Sequence, residues 1–185
     1  MSGDARTVTV FGSGRVRPGD PQYQEARALG EALAAKGFRV CSGGYAGVME
    51  AVSRGAKEAG GHTLGVTSEF FRSAVNEWVD EQIRVRTWDE RLLELVKRGD
   101  GYVTCPGGTG TLAELAVVWE MLNKGAMPRK PFAVLGDFWR PVVDLVSEAE
   151  FGRARDRGRD HAPLVHVAAS APDAAEYLAA QFQAR

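Results

Sequence analysis

Residues 101–123, GYVTCPGGTGTLAELAVVWEMLN, read as a β-strand, a glycine-rich turn and a helix in immediate succession. Gly101 to Cys105 is a short apolar run of β-forming type, Pro106 ends it, and apolar residues recur at helical spacing from Gly110 to Asn123. A strand that passes through so short a loop into a helix is half of a βαβ unit, so this stretch predicts a parallel sheet covered by helices.

The flanking sequence repeats the pattern. Thr7 to Phe11 reads as a strand, followed by a helix that Asp20 caps, with Pro21 at its first position and Gly37 at its end. Phe38 to Cys41 is the next strand. After Gly43-Gly44 a helix carries Met49, Val52 and Ala56 on one face as far as Gly60-Gly61, and His62 to Val66 follows as a strand. Thr67 to Glu81 reads as a loop whose aromatics Phe70, Phe71 and Trp78 either cover a site or subunit contact or fold back on the core. Ile83 to Arg86 is a short extended piece, and Thr87 to Arg98 a helix opened by a Thr87/Glu90 capping box and closed by Gly99. Beyond Asn123, Pro131 to Leu135 reads as a strand and Phe138 to Glu148 as a helix. Residues 152–161 read as a solvated surface segment, and Leu164 to Val167 and Asp173 to Gln183 as a last strand and helix. The expected fold is a single-domain Rossmann-like α/β structure over residues 1–185, a doubly wound parallel sheet with helices on both faces.

Composition narrows the partners. The net charge is −1 with acids and bases interspersed, which argues against a nucleic-acid groove or an electrostatic membrane anchor. No apolar stretch approaches the roughly 20 residues that span a bilayer. Residues 1–7 are polar and unlike a signal peptide, and the only cysteines are Cys41 and Cys105, so a reduced, cytoplasmic compartment is expected. His62, His161 and His166 show no ligand spacing with either cysteine, and no metal site or cofactor is expected.

Three glycine-bearing loops directly follow strands: Gly12-Ser13-Gly14, Ser42-Gly43-Gly44-Tyr45-Ala46-Gly47, and Pro106-Gly107-Gly108-Thr109-Gly110-Thr111. All three should emerge at the carboxyl edge of the sheet, where open α/β proteins bind ligands. Glycine admits close approach of backbone amides to an oxyanion, and the helix start behind each loop adds free N–H groups and a positive dipole end. A single such loop is better explained by a tight turn; three at one edge favour an anion pocket. A dinucleotide is disfavoured, because the first loop lacks the third glycine of G-x-G-x-x-G and the second strand ends in Cys41-Ser42-Gly43 without a carboxylate. A nucleoside monophosphate fits better.

The combination of Gly43-Gly44-x-x-Gly47-x-Met49, Glu90-Arg91 and Pro106-Gly107-Gly108-Thr109-Gly110-Thr111-Leu112-Ala113-Glu114 resembles the Lonely Guy (LOG) family. The resemblance extends from about Val8 to Val146. That family comprises cytokinin riboside 5'-monophosphate phosphoribohydrolases and bacterial relatives, many once labelled lysine decarboxylases. The resemblance implies a homodimer with its active site near the interface, and hydrolysis of a nucleoside monophosphate to free base and ribose 5-phosphate. It also implies catalytic roles for Glu114 and Arg91, and substrate contacts from Gly12, Ser13, Gly43, Gly44, Gly47, Met49 and Pro106 to Thr111. Where cytokinin-activating members usually carry a His before the Glu-Arg pair and a Lys after it, this chain has Asp89 and Leu92, and Ala113 replaces a second acid. AMP is therefore the expected substrate ahead of a cytokinin nucleotide.

Cleavage of an N-glycosidic bond passes through a sugar with oxocarbenium character, which requires a carboxylate near the anomeric carbon. Glu114 lies one turn beyond Gly110 and is the candidate, although Thr111-x-x-Glu114 reads equally as a capping box. Arg91, a cation in the first turn of its helix, opposes the helix dipole. It either grips phosphate or ribose oxygens or is solvated and paired with Glu94. Two further readings compete. A non-catalytic carrier of the molybdenum-cofactor type needs the glycine loops but not the Arg/Glu pair. A lysine decarboxylase needs pyridoxal phosphate on a buried lysine, and none of Lys36, Lys57, Lys97, Lys124 or Lys130 lies in a strand-end loop. Trp119 and Met121, with Leu115 and Leu122, are candidates for either a dimer face or sheet packing.

Overall fold

The structure is a computed structural model, which describes residues 5–155 and 163–184. Seven parallel strands form one sheet in the order β4-β3-β2-β1-β5-β6-β7: β1 (Thr7–Phe11), β2 (Arg39–Ser42), β3 (Thr63–Ser68), β4 (Glu81–Val85), β5 (Gly101–Thr104), β6 (Phe132–Leu135) and β7 (His166–Ala168). Chain direction across the sheet reverses between β1 and β5, which are paired in register from Val8↔Gly101 to Phe11↔Thr104. In a doubly wound sheet this reversal opens the ligand-binding crevice.

Strand alternation sorts the helices to two faces. Val8, Val10, Val103, Cys105, Ala133 and Leu135 pack against α1 (Pro21–Ala35), α2 (Val48–Glu58) and α6 (Ala171–Gln183). Phe11, Tyr102, Phe132 and Val134 face α3 (Trp88–Arg98), α4 (Thr109–Asn123) and α5 (Arg140–Arg155). The helices on the first face approach closely because Gly30 of α1 lies against the Val52 carbonyl and Gly55 of α2 against the Arg27 carbonyl, leaving no space for a Cβ at either point. Trp119 resolves toward sheet packing: it is buried with Leu115 and Leu122 against the second face.

Several boundaries shift from the sequence reading. β3 runs on to Ser68 and β4 begins at Glu81, so the loop between them is shorter than Thr67 to Glu81, and the extended piece is a full edge strand. The fifth helix spans Arg140–Arg155 rather than Phe138 to Glu148. It therefore takes in the start of the expected surface segment 152–161, the remainder of which lies outside the described residues. The last strand and helix begin later and earlier than read, at His166 and Ala171. Asp20 stands at the N-cap of α1, but its carboxylate accepts from the Arg17 amide at 2.8 Å instead of capping the helix. Among the described residues no helix is long and apolar enough to cross a membrane.

Candidate functional site

At the carboxyl ends of the strands the three glycine loops are joined by main-chain hydrogen bonds. The Ser13 amide donates to the Pro106 carbonyl at 3.2 Å, and the Ser13 carbonyl accepts from the Val48 amide at 2.8 Å. Gly47, the N-cap of α2, has φ +74 and packs on the Ser13 carbonyl and Gly14, which only glycine permits there. Next to them, the loop after β3 is tied down by Asn76, whose amide donates to the Gly44 carbonyl and whose side chain donates to the Tyr45 carbonyl, both at 2.9 Å.

These loops surround a cleft of about 940 Å³, within the range of small-molecule sites. Of the residues expected there, Gly12, Ser13, Met49, Arg91, Gly108, Thr109, Gly110, Thr111 and Glu114 border it together. Gly43, Gly44, Gly47, Pro106 and Gly107 do not. Gly44 lies against Gly65 of β3, Gly107 against the Thr111 side chain, and the Gly43 carbonyl accepts from Arg91. These five therefore build the rim and its supports, and the β2–α2 loop faces the cleft through Tyr45, Ala46 and Met49. Sequence reasoning missed Tyr45, Ser73, Ala74, Trp88 and Arg15 on the cleft wall; Phe71 was visible only as one of three loop aromatics.

The end of the cleft best suited to an anion is the start of α4. Gly108 is its N-cap with no side-chain capping bond, and no acid lies in the first turn, so its leading amides face the cleft without compensation. Gly108 and Gly110 have ordinary negative φ, and a Cβ at either would meet no other atom, so neither packing nor backbone conformation requires glycine there. What the missing side chains provide is access to the amides. Thr111 is buried, borders the cleft and accompanies those amides with its hydroxyl. The Thr111/Glu114 capping box does not form, because the helix starts at Thr109 and Thr111 already lies inside its first turn.

Arg91 is 6% exposed. Its Nε donates to the Val66 carbonyl at 2.8 Å and its Nη2 to the Gly43 carbonyl at 3.1 Å, with the Met49 sulfur 3.6 Å away. The guanidinium carbon lies 5.3 Å from the Tyr45 ring centre and 5.4 Å from that of Phe71, so two aromatic rings flank the charge. These partners replace the solvated arginine and the Glu94 pair of the sequence reading; Glu94 instead bonds Arg98 at 2.6 Å. Burial pulls the Arg91 pKa below its ordinary value, and the charge of Glu114 opposes that shift.

Glu114 reaches the same cleft from α4, half-buried. Desolvation raises its pKa from 4.5 to about 7, although the charge of Arg91 draws it down. A carboxyl poised near neutrality beside a fixed cation serves equally to take up a proton or to stabilise a positive centre. Burial pushes the Cys41 thiol up to about 12 and that of Cys105 higher still, so neither is a nucleophile at neutral pH. Asp89 is exposed and held low by the Thr87 hydroxyl, and Leu92 is buried; neither borders the cleft. No lysine borders it among the described residues. A smaller cavity of about 230 Å³ lies near Pro131, His166 and Tyr177, at the opposite edge where strands begin.

Over residues 5–129 the chain matches the sequence model of the SLOG cluster4 family. It is 39% identical over 117 residues to a cytokinin riboside 5'-monophosphate phosphoribohydrolase of Mycobacterium marinum, a match covering 61% of this chain and 62% of that protein. It is 33% identical over 180 residues to a probable enzyme of the same name from Oryza sativa subsp. japonica, covering 91% of this chain and 74% of the relative. Among solved structures, the molybdenum cofactor binding protein of Rippkaea orientalis superposes with a TM-score of 0.75 at 28% identity, covering 98% of this chain and 99% of that one. The chain belongs to the SLOG cluster4 family and is a member of the LOG family of proteins.

Proposed function

We propose that the protein hydrolyses the N-glycosidic bond of a nucleoside 5'-monophosphate, AMP being the preferred test substrate, to the free base and ribose 5-phosphate. The observation that carries this reading is the meeting of Arg91 and Glu114, from two different helices, in one cleft whose rim presents the free amides of α4. The amides, the Ser13 and Thr111 hydroxyls and the Arg15 side chain take the 5'-phosphate. Arg91 directs its free N–H group at ribose oxygens. In its ionised form, Glu114 faces the anomeric carbon, stabilises positive charge as the bond to the base lengthens, and accepts a proton from the attacking water. The water oxygen bonds to the anomeric carbon, and the base leaves with the bonding electron pair and takes up a proton.

A second reading is carried by the fold likeness to a molybdenum cofactor binding protein over nearly the whole chain: the cleft holds a phosphorylated ligand without turnover. Incubation with AMP separates the two. Release of adenine together with ribose 5-phosphate, lost in Glu114→Gln, supports the hydrolase. Saturable binding with no product supports the carrier and overturns the first reading.

A further inference from the structure

The cleft changes character along its length. The sheet order sets Gly12 to Arg15 and Gly108 to Thr111 above β1 and β5, whereas Tyr45 and Phe71 come from the loops after β2 and β3, and Trp88 opens α3 just beyond edge strand β4. One end therefore offers amides, hydroxyls and a cation, and the other offers aromatic surface. Arg91 stands between them, anchored to the Gly43 and Val66 carbonyls at the ends of β2 and β3.

The four tryptophans differ sharply in how they are used. Trp119 and Trp139 are each 5% exposed, and Trp139 donates to the Cys105 carbonyl at 3.0 Å. Trp78 lies under the Arg54 guanidinium at 5.3 Å. Trp88 is 40% exposed, and among the described residues its indole has no ring, cation or hydrogen-bond partner. It stands three residues before Arg91 on α3, a spacing that places both on one helix face, and both border the cleft. Phe71 also borders the cleft, held edge-on by Tyr45 at 5.6 Å and by Phe70 at 5.2 Å between ring centres. Among the described residues, side chains at this end offer hydrogen bonds through Ser73, the Trp88 indole N–H and the Tyr45 hydroxyl, and the last is committed to Ser68.

We infer that the aromatic end is a ring-binding subsite in which Trp88 stacks on the planar base of the ligand, with Phe71 forming the facing wall, so that ring area sets preference. The inference rests on the nucleotide reading for the identity of the ring. A subsite that reads area prefers a purine to a pyrimidine and discriminates weakly among purines, since few side-chain donors or acceptors meet the ring edge. It also explains how the Asp89 and Leu92 departures leave the ligand surface intact: the residue of that segment facing the ring is Trp88.

The test compares wild type, Trp88→Ala and Trp88→Phe with AMP, with CMP, and with ribose 5-phosphate as a competitor. Removal of a stacking partner costs roughly five- to hundredfold in affinity. The expected result is therefore a KM for AMP raised about tenfold in Trp88→Ala, kcat changed by less than about twofold, unchanged inhibition by ribose 5-phosphate, and recovery in Trp88→Phe. AMP should also quench tryptophan fluorescence in wild type and not in Trp88→Phe. An unchanged KM, or an equal loss for ribose 5-phosphate, overturns the inference. So does a changed oligomeric state on size-exclusion chromatography with ligand binding unaltered, which would make Trp88 a contact between copies. If AMP binds and quenches but is never cleaved, the hydrolase reading fails while the ring subsite stands; if AMP does not bind wild type at all, both fail.

Discussion

Replacing Glu114 with glutamine removes a charge that the fold holds at a cost, and both consequences are measurable. Raising the carboxyl from 4.5 to about 7 corresponds, at ~1.4 kcal/mol per tenfold change in proton affinity, to a penalty of about 3 kcal/mol on the ionised native form. The sign follows from proton counts. Between pH 4.5 and 7 the unfolded carboxyl has already ionised while the native one retains its proton, so stability falls as pH rises across that window. Below it both forms are protonated and the penalty vanishes; above it the penalty is complete. Glu114→Gln keeps the shape and discards the charge, so at pH 8 the variant should melt several degrees higher than wild type, at about 2–4 °C per kcal/mol for a chain of this size. At pH 4 the two should melt together. AMP cleavage should be nearly abolished in the variant at every pH. In wild type, kcat/KM should rise with pH to a plateau above about 7, as the free protein acquires the carboxylate. The checks are calorimetry across pH and chromatographic detection of adenine. A Gln variant no more stable at pH 8 than at pH 4, relative to wild type, would refute the desolvation argument; undiminished cleavage would refute the catalytic role.

Three further outcomes follow from the geometry. Gly43→Ala, whose Cβ would overlap the Arg91 guanidinium, should displace that side chain and cut AMP turnover at least tenfold while circular dichroism stays unchanged. Gly55→Ala forces a methyl against the Arg27 carbonyl and should lower stability by ~1–3 kcal/mol in urea unfolding; an unaffected midpoint would show that α1 and α2 separate freely. Arg15→Ala should weaken AMP binding and flatten its dependence on salt while leaving adenosine binding unchanged, as isothermal titration would record.

Two copies of one motif show what the sequence encoded and what it withheld. Thr87-x-x-Glu90 and Thr111-x-x-Glu114 are equivalent as strings, yet only the first forms a capping box. The difference is where the helix starts: Thr87 is an N-cap, whereas Gly108 takes that position in α4 and carries Thr111 inside the first turn. The sheet, its two helical faces and the carboxyl-edge loops were legible because strand and helix periods alternate cleanly from Thr7 onward. Roles within the loops were not, since a glycine string does not distinguish a residue that opens the cleft, such as Gly110, from one that makes room for a neighbour, such as Gly43. Arg91 stood out in the sequence as a cation in the first turn of a helix, but its compensation comes from carbonyls 25 and 48 residues away. Trp88 gave no signal because its exposure depends on the docking of α3, a tertiary fact.

The stitching of Ser13 to Pro106 and Val48 is made entirely of peptide groups. This part of the mouth therefore keeps its shape through main-chain atoms and the small volume of Gly47, and Glu114 hangs inside it without forming any of these bonds. Exchange of Glu114 would thus change the chemistry offered to a ligand while leaving these main-chain bonds in place.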